Sequence, residues 1–404
     1  MKCRICGNGT RTFLNLGKTP LANAFLRRED LDKEEPTFPL EVCFCTGCAL
    51  VQLTEVIPPE KLFRNYVYVS STTKSFQEHF ARMAEELTRM MGTPTLAVDI
   101  GSNDGILLKG FRERGVRVVG VEPATNIAKI ANDAGIETIN DFFNADVTKR
   151  IVALKGRADV VTATNVFAHV GDIQGFTANV RTLLKDDGIF VIEVQYVGDM
   201  LTKMTFDNVY HEHLSYFSAS VLVEFFKRFG MEVFRVKRVD THGGSLRVYV
   251  QKKGSGRFPI DASVKEIIEE EKGLGATGLQ AYVDFARKVE GVRTDLVKMV
   301  TALRKDGRRV AAYGAPAKGS TLLNFCGIGA DAIQYTVDDS PLKQGLFMPG
   351  THIPVLSSKA LDERRPDYIM ILAWNFAPEI MEKIKKHRDA GVKCIVPLPE
   401  PTII

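Results

Sequence analysis

One run constrains this chain more than any other: Val98-Asp99-Ile100-Gly101-Ser102-Asn103-Asp104-Gly105, followed by Val118-Val119-Gly120-Val121-Glu122-Pro123. It reads as an apolar strand, a glycine-bearing turn, a helix, a second apolar strand and an acid at that strand's end. Glycines let backbone approach a ligand closely, and a carboxylate at the second strand end accepts from both hydroxyls of a ribose. The order predicts an α/β domain with an adenosine cofactor. It lies nearer the pattern for S-adenosylmethionine than that for a dinucleotide, which needs Gly-x-Gly-x-x-Gly over a pyrophosphate, where this chain has Ser102-Asn103. Asp99, Gly101, Asn103, Gly105, Glu122 and Pro123 are the expected cofactor contacts, joined by Asn165 after a later strand and by Phe142, which would flank the adenine or else pack in the core.

Strand and helix alternate through this domain, with strands at 96–100, 116–122, 136–139, 160–164 and 188–194 and a late pair at 231–239 and 246–252 joined through Gly243-Gly244. A helix over 75–91 leads in. A helical region at 260–303 follows, and its Glu269-Glu270-Glu271-Lys272 run is expected on a solvated face. Strand–helix alternation then resumes at 309–314, 333–338, 368–373 and 393–397, a second doubly wound unit. The 404 residues therefore divide into 1–75, 76–255 and 256–404.

Five of seven cysteines precede residue 50. Cys3-x-x-Cys6 and Cys45-x-x-Cys48 are two knuckles able to complete a four-sulfur shell around zinc, and a closed shell is structural because it leaves no position for substrate. Cys43 is a fifth thiol that could replace Cys45. Cys326 and Cys394, far along the chain, are expected core residues.

Four histidines fall in loops after strands of the first unit, where open α/β sheets bind ligands: His169, His211, His213 and His242. Methyl transfer to carbon needs a base to make an enolate and a donor for its oxyanion. Histidine suits the first role and tyrosine or a second histidine the other, and Tyr210-His211-Glu212-His213 supplies them within four residues. A metal pair or a hydrogen-bonded structural turn are the competing readings. An extended run would put Tyr210 and Glu212 on one face and both histidines on the other.

The paired Cys-x-x-Cys, Val-Asp-Ile-Gly-Ser-Asn-Asp-Gly, Asn165-Val166-Phe167-Ala168-His169, Tyr210-His211-Glu212-His213-Leu214-Ser215-Tyr216-Phe217 and Tyr313-Gly314-Ala315-Pro316-Ala317-Lys318-Gly319-Ser320-Thr321 together resemble the nucleotide-sugar C-methyltransferases, over essentially the whole chain. The resemblance implies a zinc-binding N-terminal domain, a middle domain binding S-adenosylmethionine and a cofactor-free Rossmann-like C-terminal domain. It implies methylation of a carbon next to the 4-keto group of a nucleotide-linked deoxysugar, most often C3. His213 would be the base, Tyr210 and Glu212 would orient it or shape the proton path, and His169 would lie across the cleft near the enolate.

On the substrate side, Lys318, Ser320 and Thr321 open a helix directly after a strand, where backbone amides face an anion, and are expected to hold a diphosphate or sugar. Tyr66, Tyr68 and Ser70 are expected to line the sugar-nucleotide cleft, and core tyrosines are the alternative. A net charge of +4, from 53 basic and 49 acidic residues without a basic block, argues against a nucleic-acid partner. The sequence shows no apolar stretch of membrane length and no signal peptide, so the cytoplasm and a monomer are expected. Methylation at C5, a nicotinamide-dependent sugar oxidoreductase and a zinc-bearing scaffold with a decayed core are the rival functions. The oxidoreductase has against it that Pro316 removes an amide from any phosphate cradle.

Overall fold

The computed structural model describes residues 1–64, 66 and 69–404, apart from the side chains of Thr72 and His242. Its strands are, in chain order, β1 (Thr10–Thr19), β2 (Phe38–Cys45), β3 (Val51–Leu53), β4 (Leu96–Ile100), β5 (Arg117–Val121), β6 (Thr138–Ile139), β7 (Ala158–Thr164), β8 (Leu184–Gln195), β9 (Ser215–Tyr216), β10 (Met231–Val239), β11 (Ser245–Lys252), β12 (Val310–Tyr313), β13 (Thr336–Val337), β14 (Val355–Leu356), β15 (Tyr368–Ile371), β16 (Lys393–Val396) and β17 (Thr402–Ile403). They form three sheets, of order β1-β2-β3-β9, β10-β11-β8-β7-β4-β5-β6 and β14-β13-β12-β15-β16-β17.

The seven-stranded sheet is parallel from β8 through β6 and closes with the antiparallel hairpin β10–β11. The chain runs outward from β4 through β5 to β6 and then returns to β7 on the other side, so the carboxyl ends of β4 and β7 flank a topological switch, where a crevice opens. Val98, Val160, Val161, Ile192 and Val194 are wholly buried, as strands covered on both faces require. The helix Lys74–Met91 covers one face with Phe76, Phe80, Met83, Ala84, Leu87 and Met91. Thr73 caps its start, and Gly92, at φ 68°, ends it in the left-handed region.

The first sheet is antiparallel, and its fourth strand, β9, comes from the segment after β8 rather than from the N-terminal residues. Its apolar face (Leu14, Leu16, Val42, Val51) shares one core with Tyr282, Phe285 and Val289 of the helix Leu279–Lys305 and with Leu322 and Met370 of the last unit. The third sheet is parallel except for β17.

The acidic run departs from expectation at one position. Glu269 and Glu270 are exposed, but Glu271 is fully buried and accepts from the amides of Ala219 (2.6 Å) and Ser220 (2.9 Å). One turn of the helix Ala262–Gly273 therefore serves as the anionic cap of the helix Ala219–Lys227, which opposite charges at a helix start favour. Cys326 and Cys394 are buried core residues, as expected.

Candidate active site

A cleft of about 1180 Å³ opens over the carboxyl ends of β4 and β7 and is walled by residues from all three sheets' neighbourhoods. Its deep end is the glycine turn. Gly101 sits at φ +66°, and a Cβ there would lie 2.3 Å from a Val166 methyl, so no side chain fits. Gly105, at φ +79°, starts the helix Ile106–Arg112 and lies outside the cleft lining, so its part is to turn the chain. Asn103 and Asn165 also adopt positive φ, 50° and 58°. Glu122 accepts from the amide of Asn103 (2.9 Å) through one carboxylate oxygen and from that of Ala124 (2.8 Å) through the other. Each oxygen keeps a second lone pair.

Asp99, buried at the same end, is pushed up to about 7 by burial, against the 2.6 Å hydrogen bond it accepts from Thr162. Asn165 Oδ1 is buried without a partner among the described residues, an acceptor for a ligand N–H or O–H. Pro123 and Phe142 line the same end, with the Arg64 guanidinium 4.7 Å from the Phe142 ring centre. Main-chain cradle, acidic groups and aromatic wall together fit an adenosyl group carrying an ammonium.

The Tyr210–His213 segment is not extended but a turn, closed by the His213 amide donating to the Tyr210 carbonyl at 2.9 Å. The alternation expected of an extended run is therefore replaced by an i, i+3 pairing that puts Tyr210 and His213 together on the cleft wall. Their ring centres are 4.0 Å apart, and His169 stacks on His213 at 5.1 Å. His213 Nδ1 lies 2.7 Å from the carbonyl oxygen of Asn208, which can only accept, so Nδ1 carries the hydrogen and the neutral ring's Nε2 is the basic nitrogen.

His211 faces away and donates to the Pro39 carbonyl at 3.2 Å, its basicity lowered by burial. Glu212 is buried outside the cleft lining. It accepts from Asn23 (2.6 Å) and the Tyr66 hydroxyl (2.7 Å), and burial raises its pKa. Divergent partners for the two histidines argue against a His-x-His metal pair.

Lys318 also lines the cleft, 4.5 Å from the Trp374 ring centre and hydrogen-bonded to Asn375. Burial pushes its ammonium down to about 8, with Asp207 opposing the shift. Tyr66 and Ser70 line the cleft, and the Ser70 amide donates to Asn103 Oδ1 at 2.9 Å. Tyr68 lies outside the described residues.

Ser320 and Thr321 correct the sequence reading. Both are buried away from the cleft, their hydroxyls donating to the carbonyls of Ala22 and Val209 (3.1 Å each), because this part of the helix Ala317–Cys326 packs on the N-terminal segment and on the residues before Tyr210. Asn23, Gln195, Asn208 and Lys343 also line the cleft and were not singled out. Asn208 lies two residues before the histidine turn, close enough in sequence to be found, whereas Gln195 ends β8 and meets the turn only in space. Asn23 and Lys343 reach the cleft from remote loops that leave no local pattern.

The sulfurs of Cys3, Cys6, Cys45 and Cys48 lie within 4.8 Å of one another, near the spacing of about 3.8 Å set by tetrahedral zinc–sulfur bonds. The hydrogen bond with Cys48 lowers the Cys3 thiol, the direction that favours the thiolate a metal takes. Cys43 is buried in β2 outside this cluster, and burial raises its pKa.

Three family models match the chain: "Putative zinc binding domain" over residues 3–63, "Methyltransferase domain" over 76–236 and "C-methyltransferase C-terminal domain" over 240–399. The chain is 39% identical over 406 residues to C-methyltransferase NovU of Streptomyces niveus, covering all of this chain and 96% of that one. A ubiquinone biosynthesis O-methyltransferase of Rhodopseudomonas palustris (strain TIE-1) is 35% identical over 116 residues, 28% of this chain and 44% of that relative. Among solved structures, magnesium protoporphyrin IX methyltransferase (ChlM) from Synechocystis PCC 6803 with bound SAM covers 44% of this chain and 79% of its own, at 12% identity and a TM-score of 0.34.

Proposed function

Given that the chain belongs to the C-methyltransferase family with an N-terminal zinc-binding domain, we propose that it methylates the carbon next to the 4-keto group of a nucleotide-linked deoxysugar, at C3 of a dTDP sugar. S-adenosylmethionine, held by Asp99, Gly101, Asn103, Glu122, Pro123, Phe142 and Asn165, supplies the electrophilic methyl. The arrangement of His213 carries this reading: Nδ1–H is fixed on the Asn208 carbonyl and Nε2 is the basic nitrogen, in a ring on the cleft wall. A 4-keto group acidifies the neighbouring C–H, and His213 Nε2 takes that proton. His169 and Tyr210 pack against the imidazole and hold its plane. Glu212 acts at a distance, fixing the turn through Tyr66 and Asn23. Lys318, a buried cation in the cleft lining, holds the diphosphate or the sugar oxygens. Bringing both reactants into one cleft accounts for much of the acceleration.

The zinc cluster is closed by four thiolates and takes a structural role. Calorimetric titration with S-adenosylhomocysteine, then with a dTDP-4-keto-6-deoxysugar added to the complex, tests the reading. Binding of both, with methylation of the sugar carbon when S-adenosylmethionine replaces the product, is expected. Binding of the first alone removes the sugar class.

A further inference from the structure

Gln195 ends β8 and is 7% exposed. Its Nε2 lies 3.3 Å from His213 Nε2, and its Oε1 is buried with no hydrogen-bond partner among the described residues. Because His213 Nδ1 is committed to the Asn208 carbonyl, the contact can only be the Gln195 amide N–H donating to the basic nitrogen. The pair thus shows a base whose lone pair is held by a donor, beside a buried acceptor with nothing to accept. A carboxamide presents either end by a half-turn about its last torsion, which is a soft two-fold rotation.

We propose that Gln195 is a positioning residue that matches His213 in both of its protonation states and thereby sets its basicity. The proposal rests on the reading of His213 as the base. In the proton transfer the substrate C–H bond breaks and its proton passes to Nε2. The electron pair becomes the enolate double bond, and the carbonyl oxygen takes the charge. Nε2 then bears a hydrogen that the Gln195 amide nitrogen cannot accept and that Oε1 can. The same oxygen that lacks a partner beside neutral His213 gains one beside the imidazolium. Loss of the proton to solvent after turnover reverses the rotation. The other titratable rings facing His213 are His169 at 5.1 Å, Tyr210 at 4.0 Å and Tyr216 at 6.4 Å.

The test follows the side-chain amide signal of Gln195 and the ring signals of His213 by NMR across pH in the unaltered protein. The same measurement is made on Gln195→Glu and Gln195→Leu. The Gln195 amide signal should move with the midpoint of His213. The carboxylate of Gln195→Glu should raise that midpoint by about one pH unit, a tenfold gain in proton affinity, and Gln195→Leu should lower it. The acid limb of kcat/KM should follow in each variant that binds S-adenosylhomocysteine normally. A Gln195 amide indifferent to His213 titration in the unaltered protein overturns the proposal, whether or not the variants fold. A midpoint that shifts without a matching shift in the acid limb leaves the pairing intact and instead removes His213 as the base.

Discussion

The imidazoles of His169 and His213 lie stacked, with ring centres 5.1 Å apart and planes 25° from parallel. Phe63 stacks on His169 at 5.5 Å, and the Tyr210 ring packs tilted against His213 at 4.0 Å, so four rings adjoin one another at the cleft wall. Two imidazolium ions at this distance repel, so a charge on His169 disfavours a proton on His213. His169→Phe keeps a ring in the stack and removes that repulsion. His213 then holds its proton to higher pH, and the acid limb of kcat/KM should move up by about half a pH unit. An unchanged or downward shift in the pH–rate profile would count against the coupling.

His213→Asn retains a polar side chain on the turn but has no basic nitrogen. Turnover should fall about 10²–10⁴-fold, and exchange of the acidic substrate hydrogen with deuterated water should disappear with it. S-adenosylhomocysteine affinity, measured by calorimetry, should stay within a factor of about three, since the cofactor-binding contacts proposed above do not include His213.

Glu122 holds the glycine turn as well as facing the cofactor cleft, through its bonds to the amides of Asn103 and Ala124. Glu122→Ala should weaken S-adenosylhomocysteine binding about ten- to a hundredfold, the loss of one or two hydrogen bonds to a charged acceptor. Glu122→Gln, which keeps one acceptor oxygen, should fall between. Equal affinity of all three proteins would remove Glu122 from the cofactor site.

Zinc should act on His213 through the backbone. β9 pairs with β3 two residues after His213, and Arg4, between the two metal cysteines of the first knuckle, donates to the carbonyls of Leu214 (2.7 Å) and Leu53 (2.9 Å). Cys48→Ser or chelation should lower bound zinc, loosen the first sheet and cut activity together, with hydrogen exchange rising in 210–216 as well as in the N-terminal residues. Zinc-free protein with full protection in 210–216 yet no activity would point to a metal acting in the chemistry.

In the proposed role, Lys318 would attract an anionic substrate only while charged. Its ammonium is lowered to about 8 by burial, so it loses its proton, and its hold on a diphosphate, as pH rises through that value. KM for the sugar nucleotide should climb above about pH 8 while kcat changes less. Lys318→Met should raise KM at pH 7 and flatten that rise. A KM limb that persists in Lys318→Met would assign it to another group.

Much of the fold was legible because local chemistry sets it. The apolar run at 96–100, its glycine turn, the acid at residue 122 and the Gly243-Gly244 hairpin all sit in the structure where periodicity and turn residues predict them. Strand and turn formation depend on neighbours in sequence, as do the two Cys-x-x-Cys knuckles, each a short-range device. Side-chain direction past the end of a strand does not. For Tyr210 to His213 the sequence leaves an extended run and a hydrogen-bonded turn both open, and the structure has the turn, whose members diverge as the chain leads on to β9 in the first sheet.

The same reason hides Glu271, Ser320 and Thr321, whose polar groups satisfy backbone atoms 52, 298 and 112 positions away in the chain. The sequence alone determined an α/β chain with an adenosine-type glycine turn, a four-cysteine cluster and a histidine-rich loop. Tertiary structure decided which nitrogen of His213 is basic, that Gln195 stands beside it, and that Lys318 joins them in the lining of one cleft. Those choices depend on partners that only packing brings within hydrogen-bond distance.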